Sequence, residues 1–124
     1  MKTIFVVDDS DTCLIVAEEA LESEYRVITL SCAAKMFAML DKITPDLILM
    51  DICMPEIDGF TALELLKKNM KTNNIPVIFL SGQTEKVSES RGFELGAVDF
   101  ILKPFSKAVL NKRVKTNLDT DAVA

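Results

Sequence analysis

Asp46-Leu47-Ile48-Leu49-Met50-Asp51 is the stretch on which the fold turns. Its four consecutive apolar residues follow Pro45 and leave no polar face, so a strand here must be covered on both sides, as at the centre of a parallel sheet. The segments around it fall into step. Upstream, Ile4 to Val7 reads as a strand, followed by Cys13, Leu14, Ala17, Ala20 and Leu21 at helical spacing. Tyr25 to Leu30 is a partly polar strand, and Ala33, Met36, Phe37 and Leu40 mark the helix after it. Downstream, Asp58-Gly59 opens a helix whose face is Phe60, Leu63, Leu66 and Met70. Ile75 to Leu80 is a strand that tolerates Pro76 only near its start. Glu85 to Leu95 is a weaker helix, diluted by Ser88, Ser90 and Gly92, and Val98 to Leu102 is the last strand. Ser106 can cap a final helix carrying Val109, Leu110, Val114 and Leu118. Strict alternation of strand and helix with short connections implies an α/β domain: a parallel sheet, right-handed crossovers and helices on both faces.

The chain of 124 residues is the size of one domain. Residues 1–118 are expected to form it, with Asp119 to Ala124 as a flexible tail of polar and small residues. Hydrophobic residues at 49% and charged residues at 27% suffice for a core and a hydrated surface, which excludes a disordered chain. Apolar runs such as Ile4 to Val7 are far shorter than the ~20 residues of a spanning helix, and Met1-Lys2-Thr3 shows no signal-peptide pattern. The cytoplasm is therefore the expected location. Cys13, Cys32 and Cys53, odd in number and without CxxC spacing, read as reduced thiols. A net charge of −5 argues against direct binding to nucleic acid. The absence of histidine excludes imidazole catalysis, histidine-ligated metals and a phosphohistidine-donor role.

In a sheet of this kind, functional groups collect at the carboxyl ends of the strands. There the first strand ends in Asp8-Asp9, the third in Asp51, the fourth in Ser81 and the fifth in Lys103-Pro104. Singly, each has an ordinary reading: a cap, a solvated loop charge, a turn. Asp51 is the least ordinary, because an aspartate after a wholly apolar strand is costly unless it emerges into a site. Together they form a recognisable set. Carboxylates crowded on one edge repel each other, and a hard divalent cation relieves that repulsion. A lysine and a hydroxyl beside them suit the oxygens of a phosphoryl group.

Phe5-Val6-Val7-Asp8-Asp9, Asp46 to Asp51, Met54-Pro55 with Asp58-Gly59, Pro76 to Ser81, and Gly96 to Phe100 with Lys103-Pro104-Phe105 resemble the receiver domains of two-component signalling. The motifs stand in the family's order from Lys2 to about Leu118. The resemblance implies a flavodoxin-like doubly wound fold, with a five-stranded parallel sheet in the order 2-1-3-4-5 known from chemotaxis members. It also implies the roles. Asp51 would accept the phosphoryl group from a histidine kinase or a histidine phosphotransfer protein. Asp8, Asp9, Asp51 and the backbone carbonyl of Cys53 would hold Mg2+, or Mn2+. Ser81 and Lys103 would bind the phosphoryl oxygens, with the Lys103-Pro104 bond commonly cis. Ser81 and Phe100 would form the switch, the ring turning inward as the hydroxyl is drawn to the phosphate. Cys53 and Gln83 occupy positions that tune the lifetime of the acyl phosphate. Asp99 and Arg113 stand where many members pair across a phosphorylation-dependent homodimer. The output would be a separate target protein or a fused effector, and the only chemistry is the chain's own phosphorylation and dephosphorylation, not turnover of a substrate.

Three other readings fit less well. Asp9-Ser10-Asp11 offers the D-x-D of haloacid-dehalogenase phosphatases, but Cys13 stands where Thr or Val is expected and there is little room for a cap domain. A flavodoxin would need neutral groups, not Asp8-Asp9, in its phosphate loop. A pseudo-receiver would have lost an acidic or lysine position, and none is lost here.

Overall fold

The computed structural model describes residues 1–82 and 86–118. Five strands alternate with five helices: β1 (Thr3–Val7), α1 (Asp11–Leu21), β2 (Arg26–Leu30), α2 (Ala33–Leu40), β3 (Leu47–Asp51), α3 (Gly59–Lys68), β4 (Val77–Ser81), α4 (Lys86–Glu94), β5 (Asp99–Leu102) and α5 (Lys107–Leu118). The strands form one parallel sheet in the order β2-β1-β3-β4-β5. Gln83 and residues 119–124 lie outside the described residues.

Alternate residues of the three inner strands feed two separate cores, which is why those strands read as unbroken apolar runs. Phe5, Val7, Ile48, Met50, Val77 and Phe79 face one side, where Met36 of α2 and Phe60, Leu63 and Leu66 of α3 cover them. Ile4, Val6, Leu47, Leu49, Ile78 and Leu80 face the other, under Ala17 and Leu21 of α1 and Leu110 and Val114 of α5. β2 is an edge strand, and its exposed and half-buried residues explain its mixed composition. Helix starts are fixed by side-chain caps that satisfy otherwise orphaned amides. Ser10 Oγ accepts from Cys13 N–H at 3.3 Å, Asp58 Oδ1 from Thr61 N–H at 2.8 Å and Ser106 Oγ from Val109 N–H at 3.1 Å.

β3 begins with the apolar run at Leu47, one residue later than the strand expected from Asp46 to Met50, and extends one residue beyond it. Asp46 stays outside β3 and pins its start, its N–H donating to Thr3 O at 2.8 Å while its carboxylate accepts from Thr3 N–H at 2.7 Å. Asp51 is thus the last residue of the strand itself. Two expected helix-face residues are misplaced. Met70 is 87% exposed because α3 has already ended: Leu66 O accepts the Thr72 hydroxyl at 2.6 Å, and Asn69 turns to extended backbone. Val109 also points outward, leaving Leu110 and Val114 to bury α5.

Candidate functional site

β1 and β3 are neighbours in the sheet, so the carboxylates that end them meet. Asp8 is completely buried: Oδ1 accepts from Ser10 N–H at 2.9 Å, and its own N–H donates to Leu30 O at 3.0 Å. Asp51 is 6% exposed, whereas Asp9 stands at the surface. One carboxylate oxygen from each of the three lies within 4.8 Å of the others.

Lys103 reaches this cluster from the end of β5, where its N–H donates to Ser81 O at 2.7 Å. Its ammonium lies 2.7 Å from Asp8 Oδ2 and 3.4 Å from Asp51 Oδ1. The first is a close, charge-assisted contact with an oxygen that is itself completely buried. Burial alone would depress the lysine, but its contact with Asp8 and the charges of Asp51 and Asp8 outweigh that and hold it cationic. Asp51 is pushed up to about 6, first by burial and next by the charge of Asp8, with Lys103 opposing both. Three carboxylates and one ammonium leave a negative excess. The donors are oxygens, one of them exposed to solvent, and this set fits a hard divalent cation that keeps part of its water.

Ser81 ends β4 and is buried. Phe100 is 8% exposed, its ring already inside, 6.1 Å from the Phe79 ring and 6.4 Å from that of Phe93. The Lys103-Pro104 bond is cis. Cys53 is exposed in the loop between β3 and α3. Asp99 and Arg113 pair within the chain at 2.6 Å, and Asp99 further accepts from Asn117 at 3.1 Å and from Phe100 N–H at 2.8 Å.

Two neighbours of the site were given no role at it from the sequence. Cys13, one turn beyond the Ser10 cap, lines a cleft of about 370 Å³ with Lys103 and Phe105, and its thiol is pushed up to about 12 by burial and by Asp8. That thiol stays protonated and unreactive. Gly59 begins α3 directly beneath the end of β3: its N–H donates to Ile52 O at 2.8 Å, and a Cβ there would collide with the Asp51 carbonyl oxygen. Only glycine permits that approach.

Among the described residues no helix is long and apolar enough to cross a membrane. Residues 4–115 match the family model of the response regulator receiver domain. A probable cyclic di-GMP phosphodiesterase of Vibrio cholerae is 40% identical over 94% of this chain and 26% of its own length. The alkaline phosphatase synthesis transcriptional regulatory protein PhoP of Bacillus subtilis is 34% identical over 99% of this chain and 51% of its own. The chain thus spans between a quarter and about half of those two relatives. A solved putative response regulator from Chloroflexus aurantiacus superposes with a TM-score of 0.89 at 31% identity, over 94% of this chain and 97% of that one. With its strand order, its cluster of carboxylates facing a lysine, and a family match over nearly its whole length, the chain belongs to the response regulator receiver domains, the phosphorylation-dependent switches of two-component signalling.

Proposed function

We propose that Asp51 is the phosphoacceptor of this receiver. The observation that carries the reading is the placement of Asp51 at the buried end of the central strand, with Asp8 and Asp9 within 4.8 Å and the Lys103 ammonium at 3.4 Å. Asp8, Asp9 and Asp51, with the Cys53 carbonyl, would hold Mg2+, or Mn2+ in its place. When bound, the ion neutralises carboxylate repulsion and draws charge from phosphoryl oxygens. The chain's own residues supply the rest. An Asp51 oxygen attacks phosphorus in line, and the O–P bond forms as the bond from phosphorus to the donor's imidazole nitrogen breaks. Lys103 and the Ser81 hydroxyl stabilise the equatorial oxygens. Water later cleaves the mixed anhydride and restores the carboxylate, with Cys53 and Gln83 setting how fast. The domain acts on itself and turns over no other substrate.

Membership of the family implies a phosphodonor kinase and a downstream partner. The donor here is a histidine kinase or a histidine phosphotransfer protein, in the cytoplasm, where three free thiols are at home. The output is a fused effector or a separate protein target, and nucleic acid is not read by this domain. The inward ring of Phe100 supports a switch that phosphorylation stabilises in a pre-existing conformation, with Ser81 and Phe100 as its moving parts. A phosphorylation-dependent homodimer through Asp99 and Arg113 would have to exchange their 2.6 Å pair within the chain for pairs between chains.

Incubation with acetyl phosphate and Mg2+ should place acid-stable, base-labile phosphate on the wild type and none on Asp51→Asn, whose circular dichroism is unchanged. Equal labelling of the two would remove Asp51 from this role.

A further inference from the structure

Three consecutive residues of α4 sit on a row of aromatic rings. The Arg91 guanidinium lies 4.6 Å from the centroid of Phe60. Gly92 packs against Phe79 and Phe100, where a Cβ would come within 3.0 Å of the Phe79 ring. Phe93 leans on Phe100 at 6.4 Å, and the rings join edge to face, Phe60 to Phe79 at 5.4 Å and Phe79 to Phe100 at 6.1 Å. Among its described side chains α4 offers few other apolar contacts, so this seat helps to fix its position. The row begins at the acceptor. Phe60 follows Gly59, whose backbone rests on the Asp51 carbonyl and is bonded to Ile52 O at 2.8 Å.

We propose that Asp51 is coupled to α4 by a second route, through Gly59 and Phe60 to Arg91, alongside the one through Ser81 and Phe100. The proposal rests on Asp51 as the phosphoacceptor. Loading Asp51 shifts the end of β3, Gly59 cannot yield independently of that carbonyl, and the Phe60 ring carries the displacement to the cation above it. Arg91 makes this coupling specific. Its contact is an attraction between a cation and a ring face, not burial of a hydrocarbon, and it favours α4 in the seat seen with Phe100 inward. Its loss should therefore weaken the response to a phosphoryl group without unfolding the domain. This defines Arg91 as a positioning residue, acting through Phe60.

The test is titration of the full chain with beryllofluoride in saturating Mg2+, followed by amide spectra and by hydrogen exchange of residues 86–94. Arg91→Met keeps the hydrocarbon stem and removes the cation; Arg91→Lys keeps a cation. Arg91→Met should lower beryllofluoride affinity about two- to five-fold, the size of an exposed cation–π contact. It should also blunt the change in α4 exchange and lower the denaturant midpoint only slightly. Arg91→Lys should recover part of both effects. In Phe60→Leu, Arg91→Met should cost nothing further, because its partner is already gone. Unchanged affinity in Arg91→Met, or equal losses from Arg91→Met with and without the Phe60 ring, overturns the second route while the wild-type response at Asp51 keeps the phosphoacceptor reading intact. A wild type that shows no beryllofluoride response at Asp51 overturns both.

Discussion

The two faces of the sheet are built differently. On one, α1 and α5 press aliphatic side chains, Ala17, Leu21, Leu110 and Val114, onto Ile4, Leu47, Leu49 and Ile78. On the other, beside Met36, Leu63 and Leu66 of α2 and α3, the described side chains of α4 reach the core through a glycine, a phenylalanine and an arginine laid over rings. Interdigitated aliphatic packing has one good arrangement. A helix seated on ring faces and edges has shallower alternatives, because each such contact is small. In the switch proposed above, Asp51 and its partners stand on the sheet, and α4, on the flank seated on rings, would be the element that responds. That separation is what a switch needs: a fixed site and a helix whose equilibrium a charge can shift.

Truncating the rigid face gives the largest expected effect. Leu110 is fully buried, and Leu110→Ala should cost roughly 2–5 kcal/mol in urea unfolding, with protection lost throughout the sheet. A loss confined to α5 would show that this face is no more cooperative than α4.

A smaller effect, opposite in sign, is expected at the site. Because the folded state holds the Asp51 proton up to about pH 6, against 3.8 for the ordinary carboxyl, the folded protein binds more protons than the unfolded chain across that window. Stability therefore falls as pH rises through it, and the whole cost is present above pH 6. In metal-free buffer, Asp51→Asn should be more stable than wild type at pH 7 by on the order of 2–3 kcal/mol. The two should converge below about pH 4. A constant offset from pH 4 to pH 8 would show that burial and Asp8 do not hold the carboxyl up.

The smallest global effect belongs to the loose flank. Gly92→Ala puts a methyl group against the Phe79 ring but gains about 1 kcal/mol of helix propensity. Its unfolding midpoint should barely move while exchange of α4 amides quickens several-fold. Uniform quickening over the sheet would contradict the division between the two faces.

Much of this was visible in the sequence, for a definite physical reason. Strands buried on both faces cannot hide a charge, so Asp8, Asp51 and Lys103 each mark where a strand leaves the core, and parallel order brings those exits to one edge. Met70 misled because its spacing continues α3, whereas the helix is stopped by a Thr72 hydroxyl on Leu66 O, a side-chain bond that periodicity does not register. Val109 misled in the same way, as one apolar residue too many for the face that α5 buries. Gly92 read as a flaw in a weak helix, and the rings it makes room for lie on other elements. The Arg91–Phe60 contact joins two helices through space and leaves no local signature.

The central claim is that Asp51, and no other carboxylate of the cluster, carries the phosphoryl group. Borohydride reduces an aspartyl phosphate to homoserine, which peptide mass mapping locates by residue. After treatment with acetyl phosphate and Mg2+, homoserine should appear at position 51 alone and should disappear when Mg2+ is withheld. Homoserine at Asp8 or Asp9, or at no position in protein that has demonstrably taken up phosphate, would contradict the account.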